Sequence, residues 1–322
     1  MKGTNNKTLI ITNGDSAVKI MEQADIPGDY LPWRDVLHDG PVPADLSFEQ
    51  LSDLRADFII AQGWGEPENI KHSFNERDAR LKSFRQYKKV LLWFEHDLYD
   101  QLQILQILDW FSGQELADVT LAMICTKQYL GMCTPDEMTA LLQYEEPLTQ
   151  KHLLLAKQAW AAFREPTPGQ WLALLDQDTS ALPFLRDAVL CVLQEYPTAS
   201  DGLGRTARMA LQIIADGETN LWKVFERYQD TEEKRFMGDY SFWMILNQMV
   251  TSTPPCLYLP EGGELKPPVH RHKAIEITQT GRDLLAGKLN WLELHPIDQW
   301  IGGVHLTPDN LWHWDEEKQN FV

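Results

Sequence analysis

The 322-residue sequence is short of basic residues, and it contains no long apolar run. Lys and Arg total 29 against 47 Asp and Glu, which gives a formal net charge of −18 at pH 7. A charge of this sign repels polyanions over the molecule as a whole, so free nucleic acid is not an expected partner. No window approaches the roughly 20 apolar residues of a membrane span, so we expect no contact with a membrane.

Cysteine is also scarce, and its four positions form no CxxC pair. They are Cys125, Cys133, Cys191 and Cys256. No histidine lies at ligand spacing from them, so we predict free thiols rather than zinc ligands or disulfides. The opening MKGTNNK leads straight into a five-residue apolar run, which is too short for a secretory signal. The sequence therefore predicts a cytoplasmic protein.

The sequence does contain enough apolar residues for two packed domains. Its 43% hydrophobic content and its length fit about two domains of ~150 residues each. The predicted fold class is α/β, with a parallel-sheet, Rossmann-like N-terminal domain and a mainly α, winged-helix-like C-terminal domain. The predicted boundaries are 1–147 for the α/β domain, 148–200 for a helical linker region, and 201–322 for the winged-helix-like domain with its tail.

Short apolar runs alternate with amphipathic helical segments in the first part of the sequence. The predicted strands are 8–12 (TLIIT), 29–32 (DYLP), 89–94 (KVLLWF) and 118–125 (DVTLAMIC). After Lys89 the run KVLLWF is continuously apolar, as in a strand covered on both faces. After Asp97, leucines recur at three- and four-residue spacing, which predicts a helix that packs back on the sheet. Strands that alternate with helices indicate parallel pairing and right-handed crossovers.

From residue 201 the pattern predicts three helices, a β-hairpin and a further helix, which is the order of a winged helix. The third helix, 240–251 (YSFWMILNQMVT), carries no Lys or Arg. A DNA-binding surface needs an excess of positive charge on one face, and basic residues do not outnumber acidic ones between 201 and 288. We therefore interpret its apolar residues as core, or as a contact for a protein partner or for self-association.

Polar residues are concentrated directly after the predicted strands. Ligands of parallel sheets bind at the carboxyl ends of the strands, because loops and helix N-termini converge there. The candidate ligand-binding residues are Asn13, Ser16, Arg34, Asp35, His38 and Gln101, and the candidate catalytic residues are Asp15, Glu95, His96 and Asp97. An acid-His-acid triplet after an apolar strand, with a similar group after the second strand, predicts a binding or catalytic site.

Several of these residues also have a purely structural interpretation. A short side-chain oxygen can cap a helix by accepting an unpaired backbone N–H. This interpretation applies to Asp15, Ser16 and Asp97. Asp100 and Gln101 can belong to a solvated helix turn. Arg34 can pair internally with Asp35 or Glu95, which would leave no free charge for a ligand.

Carboxylates with few nearby lysines repel one another unless a divalent cation or a shared proton offsets their charge. Mg²⁺ or Mn²⁺ is the cation whose ligand preference fits such a group. The predicted metal ligands are Asp15, Glu95 and Asp97. In this arrangement His96 or His38 acts as acid or base, and Arg34 provides the fork for a phosphate or carboxylate.

Four segments carry a resemblance to a known family. They are NGDS at 13–16, WRDVLHDGPVP at 33–43, EHDLYDQ at 95–101, and the late run from TGRDLLAGK to WIGGVHL. Over most of the chain they resemble a bacterial family with an α/β N-terminal domain and a winged-helix-like C-terminal half. The resemblance implies this architecture and no reaction, because the family has no established activity. The acidic groups are also similar to those of Toprim nuclease and primase domains, although Asn13 stands where those domains carry a glutamate.

Two hypotheses of different classes follow. The first is binding or hydrolysis of a small anionic ligand, phosphate-containing or a nucleotide, assisted by Mg²⁺. If the protein is an enzyme, this hypothesis makes it a metal-dependent hydrolase or phosphoryl-transfer enzyme. The second is a non-catalytic regulatory or adaptor protein that uses the winged helix, and Trp243 in particular, for protein-protein contact.

Overall fold

The structure, a computed structural model, describes residues 7–322. The chain divides into two compact units, Met1–Val189 and Leu190–Val322. The first unit contains a five-stranded, mostly parallel sheet with helices, so the predicted α/β class is confirmed. Within residues 7–322 no helix is long and apolar enough to cross a membrane.

The sheet has the strand order β2-β1-β3-β4-β5. Its strands are β1 (Thr8–Thr12), β2 (Asp29–Pro32), β3 (Lys89–Glu95), β4 (Thr120–Thr126) and β5 (Glu146–Pro147). The first four are parallel, as predicted, while β5 pairs antiparallel with β4. The sequence analysis missed β5 because a two-residue strand of Glu and Pro carries no apolar pattern.

Helices flank this sheet and fill the connections between its strands. They are α1 (Asp15–Gln23), α2 (Phe48–Ala61), α3 (Pro67–Lys82), α4 (Leu98–Ser112), α5 (Pro135–Ala140), α6 (Gln150–Arg164) and α7 (Gly169–Ala173). Leu91 and Trp93 of β3 belong to a buried cluster with residues of α1 and α5. The alternate residues Val90, Leu92 and Phe94 are also fully buried. Since successive side chains of a strand point to opposite faces, β3 is covered on both faces, as its sequence predicts.

Helix α6 lies in the segment 148–200, which the sequence analysis assigned to a linker region. It packs against α4, with Ala156, Ala159 and Trp160 almost fully buried. The compact unit therefore extends past residue 147, because α6 supplies apolar surface that covers α4. The helix α8 (Leu185–Gln194) contains the division between the two units.

After α8, the elements of the second unit begin with the predicted order of three helices, a hairpin and a helix. They are α9 (Arg205–Ala215), α10 (Leu221–Thr231), α11 (Asp239–Thr251), the hairpin of β6 (Leu257–Tyr258) with β7 (Glu276–Ile277), α12 (Gln279–Leu285), α13 (Trp291–Leu294), and the hairpins of β8 (Gln299–Ile301) with β9 (Val304–Leu306) and of β10 (Trp314–Asp315) with β11 (Asn320–Phe321). The assignment as a winged helix stays a prediction.

Helix α11 supplies the core of the second unit. Phe242, Trp243 and Leu246 are fully buried, and the Trp243 ring lies 5.4 Å from the ring of Trp222. The contact that the adaptor hypothesis assigned to Trp243 is thus occupied within this unit. A partner would have to use the half-buried side of the helix, which includes Met244 and Gln248.

The loop after β2 is held close to α2 at Gly40. Its φ of 72° lies in the left-handed region, and a Cβ there would lie 2.6 Å from the Phe58 ring. The Phe58 ring is itself held by Trp64, at a centroid distance of 5.7 Å. Only glycine satisfies both the conformation and the contact.

We expect Gly40→Ala to lower the free energy of unfolding more than Gly63→Ala does. Gly63 has nearly the same φ, 71°, but nothing lies within 4 Å of its added Cβ. Both variants carry the left-handed strain of about 1–2 kcal/mol, and only Gly40→Ala adds overpacking of about 1–3 kcal/mol. Urea unfolding of the two variants measures the difference. Equal losses of unfolding free energy would show that the Phe58 ring moves aside without a loss of stability.

Candidate functional site

The strand order places a topological switch point between β1 and β3. From β1 the chain crosses through α1 to β2 on one side, while β3 lies on the other side. Doubly wound sheets bind ligands in the crevice beyond the strand ends at such a point. Asn13 to Ser16 follow β1 here, and His96 and Asp97 follow β3. The predicted residues of these two loops therefore lie at the same edge of the sheet.

Asn13 bridges the ends of these two strands. Its Nδ2 donates to Glu95 Oε1 at 2.8 Å and to Asp100 Oδ2 at 3.1 Å. The Asp100 carboxyl also accepts the backbone N–H of Glu95. Glu95 and Asp100 are both buried, so the bridge replaces water as the partner of their oxygens. We call Glu95, Asp97 and Asp100 the carboxyl cluster.

The three members of the carboxyl cluster are buried. Among the described residues no Lys or Arg forms an ion pair with any of them. Burial raises the pKa of all three groups. The negative charge of Glu95 raises the pKa of Asp97 further, and the charges of both raise that of Asp100. Burial and mutual repulsion therefore both favour the protonated forms of these carboxyl groups.

Two members of EHDLYDQ also fix the start of α4. Asp97 is the N-cap of this helix, since its Oδ1 accepts the N–H of Asp100 at 3.1 Å. Gln101 donates from Nε2 to the backbone oxygen of Glu95 at 2.8 Å. The predicted capping role of Asp97 is confirmed. The interpretation of Asp100 and Gln101 as a solvated turn is wrong, because the turn faces the sheet and both side chains are buried.

The loop after β4 covers the carboxyl cluster. The backbone N–H of Leu130 donates to Glu95 Oε1 at 2.7 Å, and a Cβ on Gly131 would lie 3.0 Å from Ser16 Cβ. His96 is buried beside this loop, with its ring 5.5 Å from the ring of Tyr129. The residues after β4 therefore close the crevice above Glu95, while Ser16 at the start of α1 stays exposed.

Asp15 and Arg34 form an ion pair at the exposed rim of this edge. Arg34 donates from Nε and Nη2 to the two carboxylate oxygens of Asp15, at 2.8 and 2.6 Å. A third donor, Nη1, reaches Ser73 Oγ at 3.1 Å. The hydrogen bonds from Arg34 hold the pKa of Asp15 below its usual value. The predicted pairing of Arg34 with Asp35 or Glu95 is wrong, because these two carboxyls are buried in other networks.

The N-terminus of α1 carries no side-chain cap. Its N-cap residue is Gly14, and neither Asp15 nor Ser16 accepts a capping hydrogen bond, so the predicted capping role of these two residues is wrong. A Cβ added at Gly14 would meet nothing within 4 Å, so open space adjoins the backbone there. This helix start presents backbone N–H groups and the positive end of the helix dipole beside Arg34.

Asp35 forms a second, separate network. Its Oδ1 accepts from Arg55 Nε at 3.0 Å, and both side chains are fully buried. Arg55 also donates to the backbone oxygens of Val36 at 2.7 Å and Asp39 at 2.6 Å. Asp35 therefore holds the loop after β2 in place and offers no free oxygen to a ligand in solvent. The sequence analysis missed Arg55, because nothing marks it within a heavily charged helix.

His38 lies in this same loop, away from solvent. Its Nε2 is 3.7 Å from Asp39 Oδ2, and its ring is 6.0 Å from the ring of Tyr99. Burial lowers the pKa of His38, which favours the neutral imidazole.

The structure brings some of the predicted site residues together and separates others. Asn13, Glu95, Asp97 and Gln101 meet in or beside the carboxyl cluster, while Asp15 pairs with Arg34 at the rim. Within residues 7–322 no group of three or more His, Cys, Asp or Glu side chains is arranged to hold a metal ion. Mg²⁺ binding by Asp15, Glu95 and Asp97 stays a prediction.

The four cysteines are free thiols, as predicted. Cys125 adjoins the carboxyl cluster, where its Sγ donates to the backbone oxygen of Glu95 at 3.4 Å. Burial raises the pKa of this thiol to about 12.

The fold and the strand-end residues define the class of the first unit. It is a parallel α/β unit with polar residues at its switch point. The sequence matches no family model, and it matches no curated protein. The resemblance described above to a bacterial family and to Toprim domains stays a prediction.

We expect Asp100→Asn to gain stability relative to wild type as the pH rises. The pKa of Asp100 is raised in the folded state from its usual 3.8, so the folded state binds the proton more tightly than the unfolded chain does. Stability is then lost as the pH rises above about 4 towards the folded-state pKa. Asparagine resembles the protonated acid and cannot ionise, so the variant lacks this loss.

Melting temperatures of both proteins at pH 5, 6, 7 and 8 measure the effect. Asp53→Asn, on the exposed side of α2, serves as the control and should follow the wild-type curve. Parallel curves for Asp100→Asn and wild type would mean that the carboxyl cluster carries no raised pKa.

We expect Arg55→Met to destabilise the protein by about 3–5 kcal/mol, because it leaves the carboxylate of Asp35 buried without its close partner. The double variant Asp35→Asn/Arg55→Met should lose less than the two single losses combined, since no unpaired charge remains. Lys71→Met is the control, because its pair with Asp57 is exposed. Denaturant unfolding gives these values, and additive losses would show that the pair is not coupled.

Proposed function

We propose that the first unit binds a small phosphate-containing ligand, of the nucleotide type, at the strand-end edge between β1 and β3. The observation that carries this proposal is the exposed guanidinium of Arg34 beside the uncapped N-terminus of α1 at a topological switch point. These are two independent sources of positive potential in one place, within a chain of formal charge −18.

The chemistry of the two groups fits a phosphate. Backbone N–H groups at a helix start donate to anions, and the dipole favours negative charge there. The guanidinium fork presents parallel N–H donors that match two phosphate oxygens. In the structure the carboxylate of Asp15 occupies this fork with the same two-oxygen geometry. A bound phosphate would take the place of Asp15 on Arg34.

The carboxyl cluster supports the ligand-binding edge from behind. Asn13, directly before Gly14, is held by Glu95 and Asp100, so the loop that carries the binding backbone is fixed from within the fold. A preorganised loop loses little conformational entropy on binding. Burial also raises the pKa of the carboxyl groups in the cluster, and a raised pKa is what a carboxylic general acid requires. We extend the proposal to a reaction, in which the protein hydrolyses the ligand or transfers its phosphoryl group. Release of phosphate from ATP, described below, tests this extension.

We expect Arg34→Gln to abolish phosphate binding and Asp15→Asn to strengthen it. The first change removes the donor fork, while the second removes the carboxylate that competes for it. Isothermal titration with inorganic phosphate, AMP and ATP in the absence of divalent cations measures both effects. Lys82→Gln, which breaks an exposed pair with Glu49, is the charge-matched control and should leave binding unchanged. Equal binding by Arg34→Gln and wild type would refute the proposal.

The predicted Mg²⁺ or Mn²⁺ is examined with the same variants. If Asp15 is a metal ligand, Asp15→Asn should weaken the binding measured with Mg²⁺ while it strengthens the binding measured without. Release of phosphate from ATP, followed over hours, separates an enzyme from a protein that only binds its ligand. An Asp15→Asn variant with the same gain in both conditions would exclude this residue as a cation ligand.

A further inference from the structure

A cleft of about 510 Å³ opens beyond the carboxyl end of β4, and none of the predicted site residues lines it. The end of β4, the start of α6 and the turn before α8 form its walls. This volume lies within the ~300–1,000 Å³ of small-molecule sites. The cleft uses neither Arg34 nor the N-terminus of α1, so a ligand here would be distinct from the proposed phosphate ligand.

One wall of the cleft is apolar and contains a fixed aromatic ring. Met123 and Leu141 contribute buried side chains, and Phe184 contributes its half-buried ring. The Phe184 ring meets His96 edge-on, at a centroid distance of 5.8 Å and an interplanar angle of 69°. This contact with the buried His96 ring fixes the position of Phe184 in the cleft wall.

Two side chains that can donate hydrogen bonds, His152 and Lys127, also line the cleft. The His152 Nδ1 accepts the backbone N–H of Thr149 at 3.0 Å, so the proton of a neutral imidazole lies on Nε2, where it can be donated. Lys127 is exposed and forms no ion pair with any described residue. An unpaired lysine on a concave surface is notable in a chain in which acidic residues greatly outnumber basic ones. Glu146 also lines the cleft, and it disfavours an anion on its own side.

We propose that this cleft binds a small planar anion, with its flat apolar body on Phe184 and Met123 and its carboxylate or phosphate at Lys127 and His152. The aromatic wall gives the affinity for a ring, since stacked or edge-on ring pairs contribute about 0.5–1.5 kcal/mol beyond burial. The lysine and the imidazole N–H select the anionic form, because hydrogen bonds to charged groups are stronger than neutral ones. Both features are needed, so neither a neutral aromatic molecule nor inorganic phosphate should suffice.

The experiment titrates the full-length protein with 1-naphthoate and with 1-naphthyl phosphate, followed by calorimetry. Neutral 1-naphthylmethanol and inorganic phosphate are the comparison ligands. The two phosphate ligands are titrated into Arg34→Gln, which lacks the proposed phosphate site. We expect both naphthyl anions to bind in the cleft, the neutral alcohol to bind at least about tenfold more weakly, and Lys127→Met to lose about tenfold in affinity for 1-naphthoate. Preference for one of the two anions identifies the ligand as a carboxylate or a phosphate monoester.

Matched variants separate this site from the strand-end edge. Lys88→Met, an exposed lysine that does not line the cleft, should bind the naphthyl anions as wild type does. Arg34→Gln should also leave the binding of 1-naphthoate unchanged, whereas it removes the binding of phosphate groups at the strand-end edge if the proposed function is correct. Glu146→Gln should strengthen binding of the anions, and this variant keeps the result informative if Lys127→Met folds poorly.

Three results would each overturn the proposal. The first is the absence of binding by both naphthyl anions. The second is equal affinity for the anions and the neutral alcohol, which would make the cleft a nonspecific apolar surface. The third is loss of naphthoate binding in Arg34→Gln with no loss in Lys127→Met, which would place the ligand at the strand-end edge instead.

Discussion

Asp100 joins the ends of two strands to the first turn of a helix, and the geometry of the strand-end edge depends on it. Its carboxyl accepts from the Glu95 backbone and from Asn13, and its own N–H is taken by Asp97. Among the described residues its second oxygen, Oδ1, has no hydrogen-bond partner. A proton on this carboxyl removes the cost of a buried charge and keeps the acceptor that both donors need. The raised pKa of Asp100 is thus a consequence of how this edge is built.

The buried carboxyl groups of the strand-end edge are stabilised in two different ways. After β3 burial raises the pKa of the carboxyl cluster and so favours protonated carboxyl groups, whereas after β2 Asp35 is paired with the guanidinium of Arg55. The second solution fixes charge permanently, because arginine keeps its proton at any physiological pH. The first leaves charge that responds to pH. The loop after β2 is therefore held by a constant interaction, and the loop after β3 by one that can titrate.

Most of the architecture of the first unit could be predicted from periodicity. The runs TLIIT, KVLLWF and DVTLAMIC correspond to β1, β3 and β4, and the leucine spacing after Asp97 corresponds to α4. Antiparallel β5 could not be predicted, because Glu146 and Pro147 owe their strand conformation to the neighbouring backbone of β4. The same limit applies to α6, whose place beside α4 depends on tertiary packing.

The strand-end site was predictable in location and less so in its contacts. Parallel strands bring their loops together whatever the side chains are, so Asn13 and Glu95 could be expected to meet. Burial could not be read from the polar sequence EHDLYDQ, and this is why Asp100 and Gln101 resembled a solvated turn. The partner of Arg34 could not be predicted either. Asp15, Asp35 and Glu95 are all acidic residues near predicted strand ends, and the sequence does not indicate which of them reaches the surface.

The environment of Cys125 has a consequence for the chemical reactivity of the protein. Thiolate is the nucleophilic form of cysteine, and a thiol with a pKa of about 12 is ionised in roughly one molecule in 10⁵ at pH 7. Cys125 is half-buried and lines an open cleft, yet burial and, after it, the neighbouring acids disfavour its thiolate. A thiol reagent small enough to enter the cleft at neutral pH should therefore modify Cys125 slowly, although the cleft gives it access to the sheet edge.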